Sequence, residues 1–181
     1  MEIENSFEVP APPANAWALL TDVPAVLPCM PGAELLEVTG EDSWKAAVSV
    51  KLGPIALRFL ADIRRQEVDE QARRILLAID AREAKGRGSA RATIDSSASP
   101  TPAGTRVDIR TDLTLQGAVA QHGRGVVSSV AAGLTEEFAK CLTAKLAGAT
   151  SETAADQAPV KQLSGLRLLI TAVWRSWSRR R

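Results

Sequence analysis

A chain of 181 residues, 45% of them apolar and 24% charged, suffices for one domain with a proper core plus a tail and leaves two domains unexpected. The formal charge of +1 hides a split, because residues 161–181 hold six basic side chains and no acid, leaving sixteen basic against twenty-one acidic, about −5, over residues 1–160. Two cysteines with a single histidine exclude a structural zinc site of the usual kind. The start, Met1-Glu2-Ile3-Glu4, has neither the positive flank nor the apolar run of a signal peptide, so the chain is expected in the cytoplasm, with Cys29 and Cys141 as reduced thiols. No CxxC partner accompanies Cys29, which reads as a small buried apolar residue.

In chain order, Ile3 to Val9 reads as a first strand. Pro10, Pro12 and Pro13 end it and open a short helix, Ala14 to Leu20, with proline at its start, where the missing N–H costs little. Asp22 and Pro24 break that helix, and Val23 to Cys29 supplies a further turn or two. Met30-Pro31-Gly32 then turns the chain, proline presetting one corner and glycine taking the left-handed one.

Six strands are predicted next: Ala33 to Thr39, Trp44 to Leu52, Ile55 to Val68, Arg73 to Arg82, Ser89 to Ser97 and Thr105 to Gln116, with Gly53-Pro54 as one of the turns. Alternation gives them a dry face and a wet face. Ile55, Leu57, Phe59, Ala61 and Ile63 fall inside against Arg58, Asp62 and Arg64. Ile75, Leu77, Ile79 and Ala81 fall inside against Asp80 and Arg82, and Val107, Ile109, Leu113 and Leu115 against Asp108, Arg110 and Asp112. The outer charges, of both signs on neighbouring strands, are read as cross-strand pairs on a solvated face rather than as a catalytic dyad. Lys85-Gly86-Arg87-Gly88 lacks the strand-to-helix order and the Lys-Ser/Thr ending of a phosphate loop and reads as a hairpin turn, not a nucleic-acid site.

Gly117 to Ala147 follows as one long helix, expected to end at Gly148. Its stripe is Val119, Val126, Val127, Val130, Leu134, Phe138, Cys141, Leu142 and Leu146, at steps of three and four, while Gln121, Arg124, Ser128, Glu136, Lys140 and Lys145 face away. Gly123, Ala131 and Gly133 interrupt the stripe, which means either close packing of backbone on sheet or room for a ligand.

The predicted architecture is α+β: a curved antiparallel sheet wrapped about a long C-terminal helix. This order resembles the START-like (SRPBCC) helix-grip superfamily, and particular words resemble the G-subunit family of carbon monoxide dehydrogenase. They are Phe7-Glu8-Val9-Pro10-Ala11-Pro12 with Trp17, Met30-Pro31-Gly32, Val50-Lys51-Leu52-Gly53-Pro54-Ile55, Gly88-Ser89-Ala90, and Gln116-Gly117-Ala118-Val119-Ala120-Gln121. The helix carries His122 where the family more often has an aliphatic residue. We read His122 as a bystander that leucine can replace without loss of ligand binding. The resemblance implies a non-enzymatic accessory protein of an aerobic molybdenum-containing carbon monoxide dehydrogenase or related hydroxylase. It also implies membrane recruitment and a quinone, menaquinone or ubiquinone, in the START-like cavity, with no covalent cofactor.

The residues themselves supply no catalytic constellation: the one histidine has no acidic neighbour on its helical face, and there is no tyrosine. Leu57, Phe59, Ala61, Ile79, Ala81, Ala92, Ile109, Val126, Val130 and Leu134 are the candidate walls of an apolar cavity, unless they simply pack on one another. Two rivals stand beside the carrier. A START-like enzyme of cyclase or aromatase type would require polar groups pointing into the cavity, which the alternation does not supply; a general lipid-transfer module would have no redox partner.

Residues 1–147 are thus expected to form the ligand-binding domain, 148–162 a flexible linker and 163–181 a membrane-binding tail. In the tail Leu163, Leu166, Leu169, Ile170, Val173, Trp174 and Trp177 share one arc of a helix. Arg167 and Arg175 break a stretch already too short to span a bilayer, which takes roughly 20 apolar residues. Trp174 and Trp177 beside Arg175, Arg179, Arg180 and Arg181 suit the headgroup level of an anionic leaflet on the inner face of the cell membrane. A partner protein's groove is the alternative seat for this helix.

Overall fold

The computed structural model describes residues 1–52 and 55–156, without side chains at 52, 55, 119, 122–124 and 149–156. Gly53-Pro54, the side chains of Val119, His122 and Arg124, and the tail 163–181 with its membrane-binding residues therefore lie outside the described residues. Residues Met1–Ala149 form one compact unit and Thr150–Arg181 a second, described only as helical backbone to Asp156.

Strand β1 (Glu2–Val9) leads into α1 (Pro13–Thr21), the single turn α2 (Val23–Val26) and a 3-10 turn at Leu27–Cys29. Then come β2 (Ala33–Gly40), β3 (Ser43–Leu52), β4 (Ile55–Asp69), β5 (Arg74–Glu83), β6 (Gly88–Thr101) and β7 (Gly104–Gly117). A 3-10 turn, Ala118–His122, precedes α3 (Gly123–Asp156). The seven strands form one antiparallel sheet in the order β1-β7-β6-β5-β4-β3-β2. Hairpins make each neighbour from β2 to β7, and β1 joins β7, so the stretch 10–32 crosses from one edge of the sheet to the other.

The Pro10–Pro13 region behaves as its chemistry dictates: Pro12 stands at the cap of α1 and proline occupies the first turn. Asp22 caps α2 by accepting from the Ala25 N–H at 3.1 Å. Gly32 takes φ +76° at the turn into β2, its carbonyl accepting from the Ser49 N–H at 2.8 Å. A side chain there would strike the Ser49 carbonyl oxygen, so the turn requires glycine on two grounds.

Alternation is observed as predicted on the sheet's inner face. Trp44, Ala46, Leu57, Ala61, Ile63, Ile75, Ala81 and Val107 are buried. The stripe of β4 ends on Arg65, whose guanidinium lies 5.8 Å from the Trp44 ring and donates to Thr21 O at 3.3 Å, so a cation closes the core there. The outer charges pair across strands: Arg91 with Asp80 at 2.7 Å, Arg64 with Asp80 at 3.4 Å, and Arg110 with Glu4 at 2.7 Å.

The main core lies under residues 138–146 of α3. Phe138, Leu142 and Leu146 are buried against Val9, Trp17, Leu20, Val26, Ile75, Ala98 and Val107, and Phe138 meets Phe7 edge to face at 5.9 Å. Trp17 also donates its ring N–H to Glu70 at 2.6 Å, tying α1 to the turn after β4. The first half of α3 is different. Val127, Val130 and Leu134 are only half-buried and Val126 is 45% exposed, so the predicted stripe is continuous in sequence but packed at one end only.

Two expectations are corrected. Cys29 and Cys141 are not free thiols: they form a disulfide between the 3-10 turn after α2 and the packed half of α3, with Cα atoms 5.3 Å apart across 112 residues of sequence. The expectation rested on compartment and on the absence of a nearby partner, and neither senses a pair made by tertiary packing. Gly148 does not end the helix, which runs on to Asp156. A lone glycine in a helix costs only about 1 kcal/mol, and the alanines around it favour continuation.

Candidate functional site

The half-packed end of α3 stands over the end of the sheet where β3, β4 and β5 terminate, and a cavity of about 700 Å³ opens between them. Its walls are Leu57, Val50 and Ala56 from the strands, Ala84 from the turn after β5, Pro31 and Gly32 from the turn before β2, and Val130, Gly133 and Leu134 from α3. A Cβ built on Gly133 would meet nothing within 4 Å, so the small residue in the helix leaves room here rather than bringing backbone onto sheet. The size and apolar lining fall within the range of small-ligand sites.

Ser49 and five charged residues, Lys51, Arg58, Lys85, Arg87 and Glu83, complete the lining. Glu83 is the unexpected one. Its pairing with Phe59 puts it on the inner face, and it is only 4% exposed. It accepts from the Arg87 guanidinium at 2.8 Å and from the backbone N–H groups of Lys85 at 2.9 Å and Arg87 at 3.1 Å. The Arg87 guanidinium, opposed by burial and helped by those backbone donors, lowers the Glu83 carboxyl to about 2 from its ordinary 4.5. Arg87 also donates to Ala56 O at 3.1 Å, so the carboxylate and its arginine lock the 83–88 turn to β4.

This corrects the reading that no polar group faces the cavity. The signal was present: Ile75, Leu77, Ile79 and Ala81 define an inward phase whose next member is position 83. Lys85 and Arg87, expected only as part of a hairpin turn, and Lys51, not among the candidate wall residues, also line the site. A carboxylate ionised to about pH 2 and already accepting from three donors is a poor general base, so its presence does not make a reaction centre.

The candidate wall residues are not all brought together. Leu57, Val130 and Leu134 line the cavity. Phe59 is half-buried one inward step along β4; Ile79 packs on the Trp44–Ile63 cluster and Ile109 on the main core. Ala61 and Ala81 are buried in a row of alanines that pairs Ala46, Ala61, Ala81 and Ala90 across four strands. Ala92 pairs with Ile79, and Val126 is exposed on α3 outside the lining. Alternation reports which face a residue occupies, whereas the position of α3 along the strands decides which of them border a void.

A second, larger depression of about 870 Å³ lies against the outer strand faces, bordered by Lys45, Asp62, Arg64, Asp80, Arg82 and Arg91. Asp80 pairs there with Arg64 and Arg91, and Arg91, with Arg64, lowers the Asp80 carboxyl. It is a solvated charge lattice rather than a ligand cavity.

Residues 6–147 match the family model of the carbon monoxide dehydrogenase G subunit, CoxG. The chain belongs to the CoxG family. No curated protein sequence matches it. Solved structures with the same fold include a conserved protein from Geobacillus kaustophilus, TM-score 0.73 at 21% identity over 82% of this chain and 96% of that one. Another is the Zhui aromatase/cyclase from Streptomyces sp. R1128, TM-score 0.58 at 15% identity over 81% and 93%. A third is a START superfamily protein from Mycobacterium smegmatis, TM-score 0.56 at 16% identity over 81% and 97%. At these identities the likeness is one of fold, and it is the START-like helix-grip fold. CoxG is an accessory-protein family, and in this member the cavity lies within the matched residues.

Glu83 gives this CoxG-family site a pH signature. Its folded carboxyl titrates below the ordinary 4.5, so its stabilising contribution is complete above that value and fades as pH falls toward 2. Glu83→Gln is therefore expected to flatten the fall in urea midpoint between about pH 4.5 and 2, with the remainder carried by groups such as Asp80 and Glu136. An unaltered profile would remove Glu83 from the acid sensitivity of the fold.

Proposed function

We propose that this chain is a non-enzymatic carrier that holds an apolar ligand, a quinone such as menaquinone, and links a molybdenum-containing carbon monoxide dehydrogenase or related hydroxylase to the membrane for electron delivery. The observation that carries the reading is the apolar cavity under the loosely packed half of α3 in a CoxG-family domain. In this proposal the body receives the ligand, the tail 163–181 rests on the anionic inner face of the cell membrane, and no covalent cofactor is required. No helix among the described residues is long and apolar enough to cross a membrane.

A cyclase or aromatase role would need a group able to move a proton inside the cavity. Glu83, the inward carboxylate, is held ionised by Arg87, which favours the carrier.

Gel filtration of the full chain after exposure to menaquinone-loaded vesicles tests the ligand: about one quinone per chain is expected to co-elute, and none at saturating quinone would end the reading. Flotation with vesicles containing anionic lipid tests the tail. The full chain is expected to float and to be released by salt, whereas Trp174→Glu with Trp177→Glu should stay in solution. Four arginines at about 1 kcal/mol each near an anionic surface, together with the two indoles, set the expected scale. Equal flotation of both proteins would reject the anchor.

A further inference from the structure

The cations at the cavity mouth differ in what remains available to a ligand. Arg58 is paired with Glu34 at 3.3 Å and Arg87 with Glu83 at 2.8 Å. Lys51 and Lys85 make no ion pair among the described residues. Glu83, the one acid in the lining, already accepts from the Arg87 guanidinium and from two backbone N–H groups. The charged capacity left at the mouth is therefore donor-only and positive, on a body whose sequence is about −5 over residues 1–160.

Behind these ammonium groups are Leu57, Val130 and Leu134, whose low polarisability strengthens the field of a nearby charge relative to open water. We propose that the mouth is an anion-selective collar: Lys51 and Lys85 favour an amphiphile with a carboxylate or phosphate head over a neutral one of the same chain. Arg87, fixed by Glu83 and bonded to Ala56 O, keeps the 83–88 turn and with it Lys85 at the edge of the cavity. The lysines act as mobile point charges, which suits heads of differing shape. The chain of the amphiphile occupies the apolar space under α3. A neutral quinone is held by the walls alone, so the collar adds a second ligand class to the same site; the inference rests on the cavity being a carrier site.

Equilibrium dialysis of the full chain, below micelle-forming concentration, against an 18-carbon carboxylate, the monoalkyl phosphate of that chain and its alcohol tests this. At least one anion is expected to bind at least about tenfold tighter than the alcohol. Lys51→Ala with Lys85→Ala should bring the anions to within about threefold of the alcohol, whose own affinity is unchanged and so reports an intact cavity. Phosphate above carboxylate would assign a phospholipid-like cargo, and the reverse a free fatty acid. Equal binding of all three by the parent, or a preference kept by the double variant, overturns the collar while leaving the carrier reading intact. No binding of any of the three, alcohol included, overturns both.

Discussion

Replacing Cys29 and Cys141 together by alanine is expected to lower the stability of the domain by between about 2 and 5 kcal/mol, the upper end being what chain entropy gives for a closed loop of some hundred residues. With a urea dependence of about 2 kcal/mol per molar for a domain of this size, the midpoint should fall by roughly 1 to 2.5 M. The bond ties the 3-10 turn after α2 to the packed stretch of α3, so its loss acts where Phe138, Leu142 and Leu146 hold the helix down. The parent, denatured without reductant, should show no titratable thiol, and two thiols with an unchanged midpoint in the variant would refute the crosslink.

The second large effect is expected at Gly133. Gly133→Phe should weaken binding of an apolar ligand by more than tenfold, at least about 1.4 kcal/mol, with little change in folding. No atom lies within 4 Å of its Cβ position, and Gly133 borders the cavity together with Leu57, Val130 and Leu134. Removing a helical glycine offsets part of any packing cost, by about 0.5 to 1 kcal/mol. The block belongs here and not at Ala92, which lies outside the cavity lining. Ligand titration alongside urea unfolding checks both halves. Full binding by a folded Gly133→Phe protein would mean that the ligand sits elsewhere.

Local rules reach far in this chain. Proline placement, the left-handed Gly32, period-two alternation from Ile55 to Leu115 and the three-and-four stripe from Val126 to Leu146 determine the order of elements, the inner face of β4, β5 and β7 and the helix that crosses them, because each depends on neighbours within a few residues. They also extend to Glu83, had the inward phase of β5 been followed one step past Ala81. What tertiary structure alone decided are the facts that depend on how far α3 lies along the sheet. The Cys29–Cys141 bond joins residues 112 apart, and the void opens at Leu57, Val130 and Leu134 while Ile79 and Ile109, on the same inner face, are covered by core. A strand's pattern carries the direction of each side chain but not the depth at which another element will cover it. That depth follows from the competition among all the apolar surfaces for one helix, settled here by Phe138, Leu142 and Leu146 at one end and left open at the other.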